Sequence, residues 1–356
     1  MKRMTAMLLL LALLPLGGCT SLPGEERAFA VCLGVGRNGG VWQACARVPT
    51  YQDGGGYLTL SAEGTSLAQA LSALDAASPM PLHYGQLRLA VFSRETAEAE
   101  DFPQTLTALA LLPDFRLRCA LCVTEEPLNE LMDALPPETG LRLSKYLEAL
   151  LDARITQGLI PSTTLSDLRR MGERQSGVLA DMTLEEVRSG SGGGEADTTA
   201  GDAGEQTAET TVRAQFGGAW LMSVDGPVTS RLSARECQML NLLTGSWRDG
   251  TLSLPGGTAQ LLDAQAKVTL VSGTARCELR LRCGRSDMTE EGVRQAVTRA
   301  LELLTSRLSA AGCDALGLAR QAIRGYPDLT AWHDADWSRV YAALAWDVRV
   351  TVTFAA

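Results

Sequence analysis

Beyond Leu16 the chain never sustains an apolar run: stretches such as Ala108–Leu112 stop far short of the ~18 residues a helix needs to cross a bilayer. A body made of such short runs folds in water, from helices and strands that each bury one face. The length of 356 residues suffices for two or three domains, at roughly 100 to 200 residues each. With 46% hydrophobic and 21% charged residues the chain falls in the globular class, and its formal net charge of -9 excludes a basic nucleic-acid binder.

The first 19 residues follow a different pattern. Lys2 and Arg3 precede an apolar stretch, Met7 to Leu16, which leads directly into Leu16-Gly17-Gly18-Cys19. As a helix that stretch reaches only ~15 Å, half the hydrocarbon core, so it is an export signal rather than a span. Leu16, Gly17 and Gly18 ahead of Cys19 resemble a lipobox, in which small residues admit the signal peptidase and the cysteine thiol is alkylated by a diacylglyceryl group. The expectation is a signal peptide over 1–18 and a mature chain whose Cys19 carries S-diacylglycerol and an N-acyl chain. At ~0.8 kcal/mol per buried methylene, such chains hold a protein at a membrane where one myristoyl does not.

Along the mature chain the hydrophobic period alternates between strand and helix. Phe29 to Val35 and Val41 to Val48 flank Arg37-Asn38-Gly39-Gly40, a strong hairpin signal. Tyr57 to Ala62 reads as a strand, and Ser66 caps a helix carrying Leu67, Ala70, Leu71 and Leu74 on one side. Strands at Leu87 to Phe92 and Phe115 to Val123 alternate with helices at Phe102 to Leu112 and Pro127 to Leu135. Helices are expected at Leu141 to Gly158 and Pro161 to Met171, then a Gly-rich and acidic linker at 189–209 with no large apolar residue. The last region opens with strands from Val212 to Val224 and a helix at Ser233 to Leu243. Cys277, Leu279, Leu281 and Cys283 alternate with Glu278, Arg280 and Arg282 as a strand face does. Thr289 caps a long helix with Val293, Val297, Leu301, Leu304 and Leu308 as its buried stripe. A final strand runs from Trp346 to Phe354. The class is therefore α+β: three mixed α/β domains with largely antiparallel sheets, at 19–140, 141–211 (a small helical subdomain plus the linker) and 212–356.

In this order the segments resemble the Ger(x)C spore germination lipoproteins, the C subunits of nutrient germinant receptors. The likeness rests on Val31-Cys32-Leu33-Gly34-Val35-Gly36, on Ser61-Ala62-Glu63-Gly64-Thr65-Ser66 with Ala70-Leu71, and on Pro79 to Val91. It continues in Gly217-Gly218-Ala219-Trp220, Asp314-Ala315-Leu316-Gly317-Leu318 and the tail from Trp337 to Phe354. Gln86 stands where the family commonly has His, so no role is carried to that position. The resemblance implies a protein on the outer face of the spore inner membrane beside two membrane-embedded partners, the A and B subunits, with no cofactor and an unknown small-molecule ligand.

A rival reading as a hydrolase meets a shortage of bases: His83 and His333 are the two histidines, and no Gly-x-Ser-x-Gly elbow exists. A substrate-binding lipoprotein of a transporter is the other alternative, but it requires two similar lobes, and the regions are unequal. Neither catalytic nor metal-binding residues are expected. Cys119-Ala120-Leu121-Cys122 is a CxxC inside a strand pattern rather than at a helix N-terminus, where a thiol is activated. If Asn38-Gly39 forms the hairpin turn, Cys32 opposes Cys45, and an exported location permits a disulfide between them; buried free thiols are the alternative.

Overall fold

The computed structural model describes residues 27–50, 56–135, 142–170, 176–188 and 210–355. Two sheets carry the architecture. The first is built from β2 (Cys32–Asn38), β3 (Val41–Thr50), β4 (Gly56–Gly64), β6 (Leu89–Ser93), β7 (Ala120–Thr124), β8 (Gly177–Arg188), β9 (Thr210–Met222) and β10 (Val228–Leu232), while β1 (Ala28–Phe29) and β5 (Leu82–His83) form a small parallel pair. Its order is β10-β9-β8-β7-β6-β2-β3-β4. The centre, β2-β6-β7-β8, is parallel. That follows from composition: Leu89 to Phe92 and Leu121 to Val123 are buried without interruption, and a strand apolar on both faces belongs in a sheet covered on both sides. Helix α1 (Leu67–Ala77), with Ser66 accepting from the Gln69 N–H at 3.2 Å, and α2 (Phe102–Ala110) pack on one face. The Leu128–Asp133 helix and α3 (Leu143–Thr156) cover the other.

The sheet is mixed, and β9 and β10, which the sequence pattern attaches to the C-terminal region, extend it through antiparallel pairing with β8. The predicted linker at 189–209 lies outside the described residues.

The second sheet has the order β11-β12-β13-β14, from β11 (Gly250–Leu254), β12 (Gly257–Val271), β13 (Thr274–Ser286) and β14 (Ala345–Phe354). β14 runs parallel to β13, so the chain must cross over. It does so through α5 (Glu290–Ala310), whose Thr289 cap accepts from the Gly292 N–H at 3.1 Å. The predicted α5 stripe is buried against Cys277, Leu279, Leu281 and Cys283, with α4 (Ala234–Thr244) beside it. Glu278, Arg280 and Arg282 face the open side as expected.

The β2–β3 hairpin turns one residue later than predicted. Asn38 pairs with Val41, leaving Gly39 and Gly40 as the turn, at φ +57° and +87°. Both central residues of a type I′ turn need positive φ, and two glycines meet that without strain where asparagine meets it with some. The register this sets puts Gly34 opposite Cys45, and a Cβ on Gly34 would lie 2.5 Å from the Cys45 Sγ and 3.0 Å from the Met132 Cε. Gly34→Ala is therefore expected to cost about 1–3 kcal/mol by overpacking. Urea unfolding checks it, and Cys45→Ala should recover most of the loss by vacating the clash.

Candidate functional site

The two sheets meet where the turn after α5 enters the end of the first sheet. The Ser176 hydroxyl donates to the Met222 carbonyl at 3.1 Å and accepts the Asp314 N–H at 2.9 Å, while the Val224 N–H donates to the Gly312 carbonyl at 2.9 Å. α4 completes the joint: the Asn241 amide donates to the carbonyls of Gly158 and Ile160 at 2.9 and 3.0 Å, and Gln238 donates to those of Gln157 and Thr251 at 3.0 and 3.1 Å. Buried polar side chains spent on backbone carbonyls in this way fix the angle between elements. A cleft of about 190 Å³ opens here, with Ser162, Thr163, Asp167, Leu240, Asn241 and Thr244 in its lining. Neither histidine nor cysteine lines it, and its one carboxylate, Asp167, accepts the Thr164 hydroxyl at 2.6 Å and the Thr164 N–H at 3.0 Å.

A charged platform sits on the same strands. Asp181 of β8 is fully buried and accepts the Trp220 indole N–H at 2.8 Å; its other oxygen accepts from Arg231 of β10. Burial pushes the Asp181 carboxyl above the usual range, with the Trp220 hydrogen bond and Arg231 opposing. Arg94 and Arg231 place their guanidinium carbons 5.7 and 5.8 Å from the Trp220 ring, within cation–π range. Glu125 spans both, 2.7 Å from Arg94 and 3.7 Å from Arg231. Every charge is met by an opposite one, which suits a rigid contact surface better than a ligand pocket. This cluster went unpredicted. Its signal was a lone carboxylate inside the apolar run Val178-Leu179-Ala180-Asp181-Met182.

Leu16, Gly17, Gly18 and Cys19 lie outside the described residues. Cys32 and Cys45 require a correction. With the turn at Gly39-Gly40, Cys32 faces Arg47 and Cys45 faces Gly34, so the two are diagonal rather than opposite, and both are free, buried thiols. Burial pushes Cys45 up to about 12 and Cys32 well above its ordinary value. The strand expected from Phe115 begins only at Ala120, so the CxxC straddles its start: Cys119, in the turn before β7 with its N–H on the Arg116 carbonyl at 3.1 Å, packs in one core, and Cys122 of β7 in the other. Burial raises both thiols as well. His83 ends β5, its Nδ1 accepting the Gly85 N–H at 3.2 Å and its Nε2 lying 3.1 Å from the Asp114 carboxylate. His333 sits in the short Leu329–Asp334 helix. Among the described residues, no group of three or more His, Cys, Asp or Glu could hold a metal ion.

Comparison with known proteins gives one family, described as the spore germination protein N-terminal domain, which matches residues 23–183. Among solved structures, the crystal structure of the GerBC protein is similar at 12% identity with a TM-score of 0.48, covering 91% of this chain and 97% of that one. No curated protein matches.

Proposed function

We propose, from the match of residues 23–183 to the spore germination protein N-terminal domain, that the chain is a Ger(x)C-family protein, the lipid-anchored C subunit of a nutrient germinant receptor. Its role in this reading is positional and non-enzymatic: diacylated Cys19 holds the folded body on the outer face of the spore inner membrane, against the membrane-embedded A and B subunits. The observation that carries the proposal is the spacing of two signals. The lipobox places Cys19 four residues ahead of the family domain, which starts at residue 23. No helix among the described residues is long and apolar enough to cross a membrane, so membrane attachment by this route falls to the acyl chains, and an acidic body gains nothing from an anionic leaflet. The paired charges of the platform, Asp181 and Glu125 against Arg94 and Arg231, agree with a docking role.

Cys19→Ala tests it. Metabolic palmitate labelling should mark the wild type and leave the variant unlabelled, and spores carrying the variant should lose most of their response to nutrients. An unlabelled wild type, or a variant that germinates normally, would refute the proposal.

A further inference from the structure

β14 is an edge strand whose two charges, Asp347 and Arg349, pair with each other. Among the described residues it pairs only with β13, in unbroken register over Ala345–Phe354, and it contains no proline, lysine or bulge. The Ala355 N–H donates to the Cys283 carbonyl at 2.7 Å. In an unbroken parallel ladder, this phase turns the backbone groups of the odd-numbered residues toward β13 and those of Trp346, Val348, Val350, Val352 and Phe354 toward the open edge. The same five side chains face the α5 side of the sheet, yet Trp346, Val348, Val350 and Phe354 are only partly buried. A row of free backbone groups thus coincides with a row of half-covered apolar side chains.

We propose that this edge is closed by a second copy of the chain, β14 pairing antiparallel with β14 about a twofold axis at Val350. Other registers fare worse. Centring on Arg349 sets two guanidinium groups directly opposite each other, and centring on Val348 uses only Ala345–Thr351. With Val350 at the centre, Trp346 meets Phe354 of the second copy, Val348 meets Val352, Asp347 meets Thr353 and Arg349 meets Thr351. The outward backbone groups then make about ten hydrogen bonds, the number a stable protein interface carries. Aromatic and β-branched pairs are the favourable cross-strand combinations. A groove of about 390 Å³ between α5 and the strand, lined by Glu302, Thr305, Ser309, Leu344, Trp346 and Val348, leaves room for Phe354 of the second copy.

Sedimentation velocity on the purified mature chain in detergent reads the association. The wild type should be a reversible dimer. Thr353→Glu sets a carboxylate opposite Asp347 of the second copy but beside Arg282 of its own sheet. It should weaken association about tenfold while leaving the melting temperature level or higher, an opposition that loss of folding cannot produce. Thr353→Arg should tighten the dimer. Val350→Pro deletes an outward N–H without touching the ladder to β13 and should give monomer. A wild type that stays monomeric at tens of micromolar, or a dimer unmoved by these three substitutions, overturns the proposal.

Discussion

Asp314→Ala is expected to lower stability by about 3–5 kcal/mol, a large part of what holds a domain folded. The Asp314 carboxylate is 4% exposed. One oxygen accepts the Leu318 N–H at 2.8 Å; the other accepts the Ala319 N–H at 2.7 Å and the Trp337 indole N–H at 3.2 Å. Alanine strands all three donors, each costing about 1–3 kcal/mol when buried without a partner. The carboxylate sits at the joint between the sheets, where the Asp314 backbone N–H, which alanine keeps, donates to Ser176. It reaches the aromatic row too: Trp337 lies 5.6 Å from Trp332 and 6.1 Å from Tyr341. Denaturant unfolding followed by tryptophan fluorescence measures the loss, and Asp314→Asn, which keeps an acceptor oxygen, should lose less.

The same residue leaves a mark on pH dependence. Burial pushes the Asp314 carboxyl above its ordinary range, against the hydrogen bonds from Ala319, Leu318 and Trp337. The folded state therefore holds the proton more tightly than the unfolded chain. The stability this contributes is complete below the ordinary carboxylate value and is lost as pH rises through the raised one. Asp314→Asn should remove that part of the slope.

Local periodicity made much of the fold legible. The Ser66 and Thr289 caps, the α5 stripe and the alternation of β13 were plain because each repeats within a few residues. The hairpin was found but placed one residue early, and because strand side chains alternate, its register carried Cys32 away from Cys45. β8 was missed altogether. Its first half, Gly177-Val178-Leu179-Ala180, is nearly all apolar, which periodicity alone does not tell from a buried helix; its second half is acidic. The pairing of β7 with β8 and β2 with β6 joins segments far apart in the chain, so no local window contains it. Asp314 was read only as a member of a family pattern, whereas the structure supplies its reason: it caps the turn at Gly317, φ +69°, and anchors Trp337. The CxxC thiols pack in separate cores and neither histidine enters the cleft, placements that no short window of sequence contains.

Asp181→Ala should cost about 1–3 kcal/mol, by a different route. Here the loss is dominated by a donor left behind. The Trp220 indole N–H would lose its acceptor inside a residue 3% exposed, while Arg231, its side chain 42% exposed, keeps water and Glu125 at 3.7 Å. Because β8, β9 and β10 each contribute one of these groups, the substitution acts on the sheet extension as a unit. Asp181→Asn, which keeps an acceptor oxygen for the indole, should cost less than Asp181→Ala, and pairing it with Arg231→Met closes a cycle on the ion pair. A double-mutant cycle read by urea unfolding gives the coupling directly, expected at about 1–3 kcal/mol. Strict additivity would mean that Arg231 is held by its surroundings and not by Asp181. The platform would then be two independent contacts on one tryptophan, and its rigidity would have to come from the backbone ladder beneath.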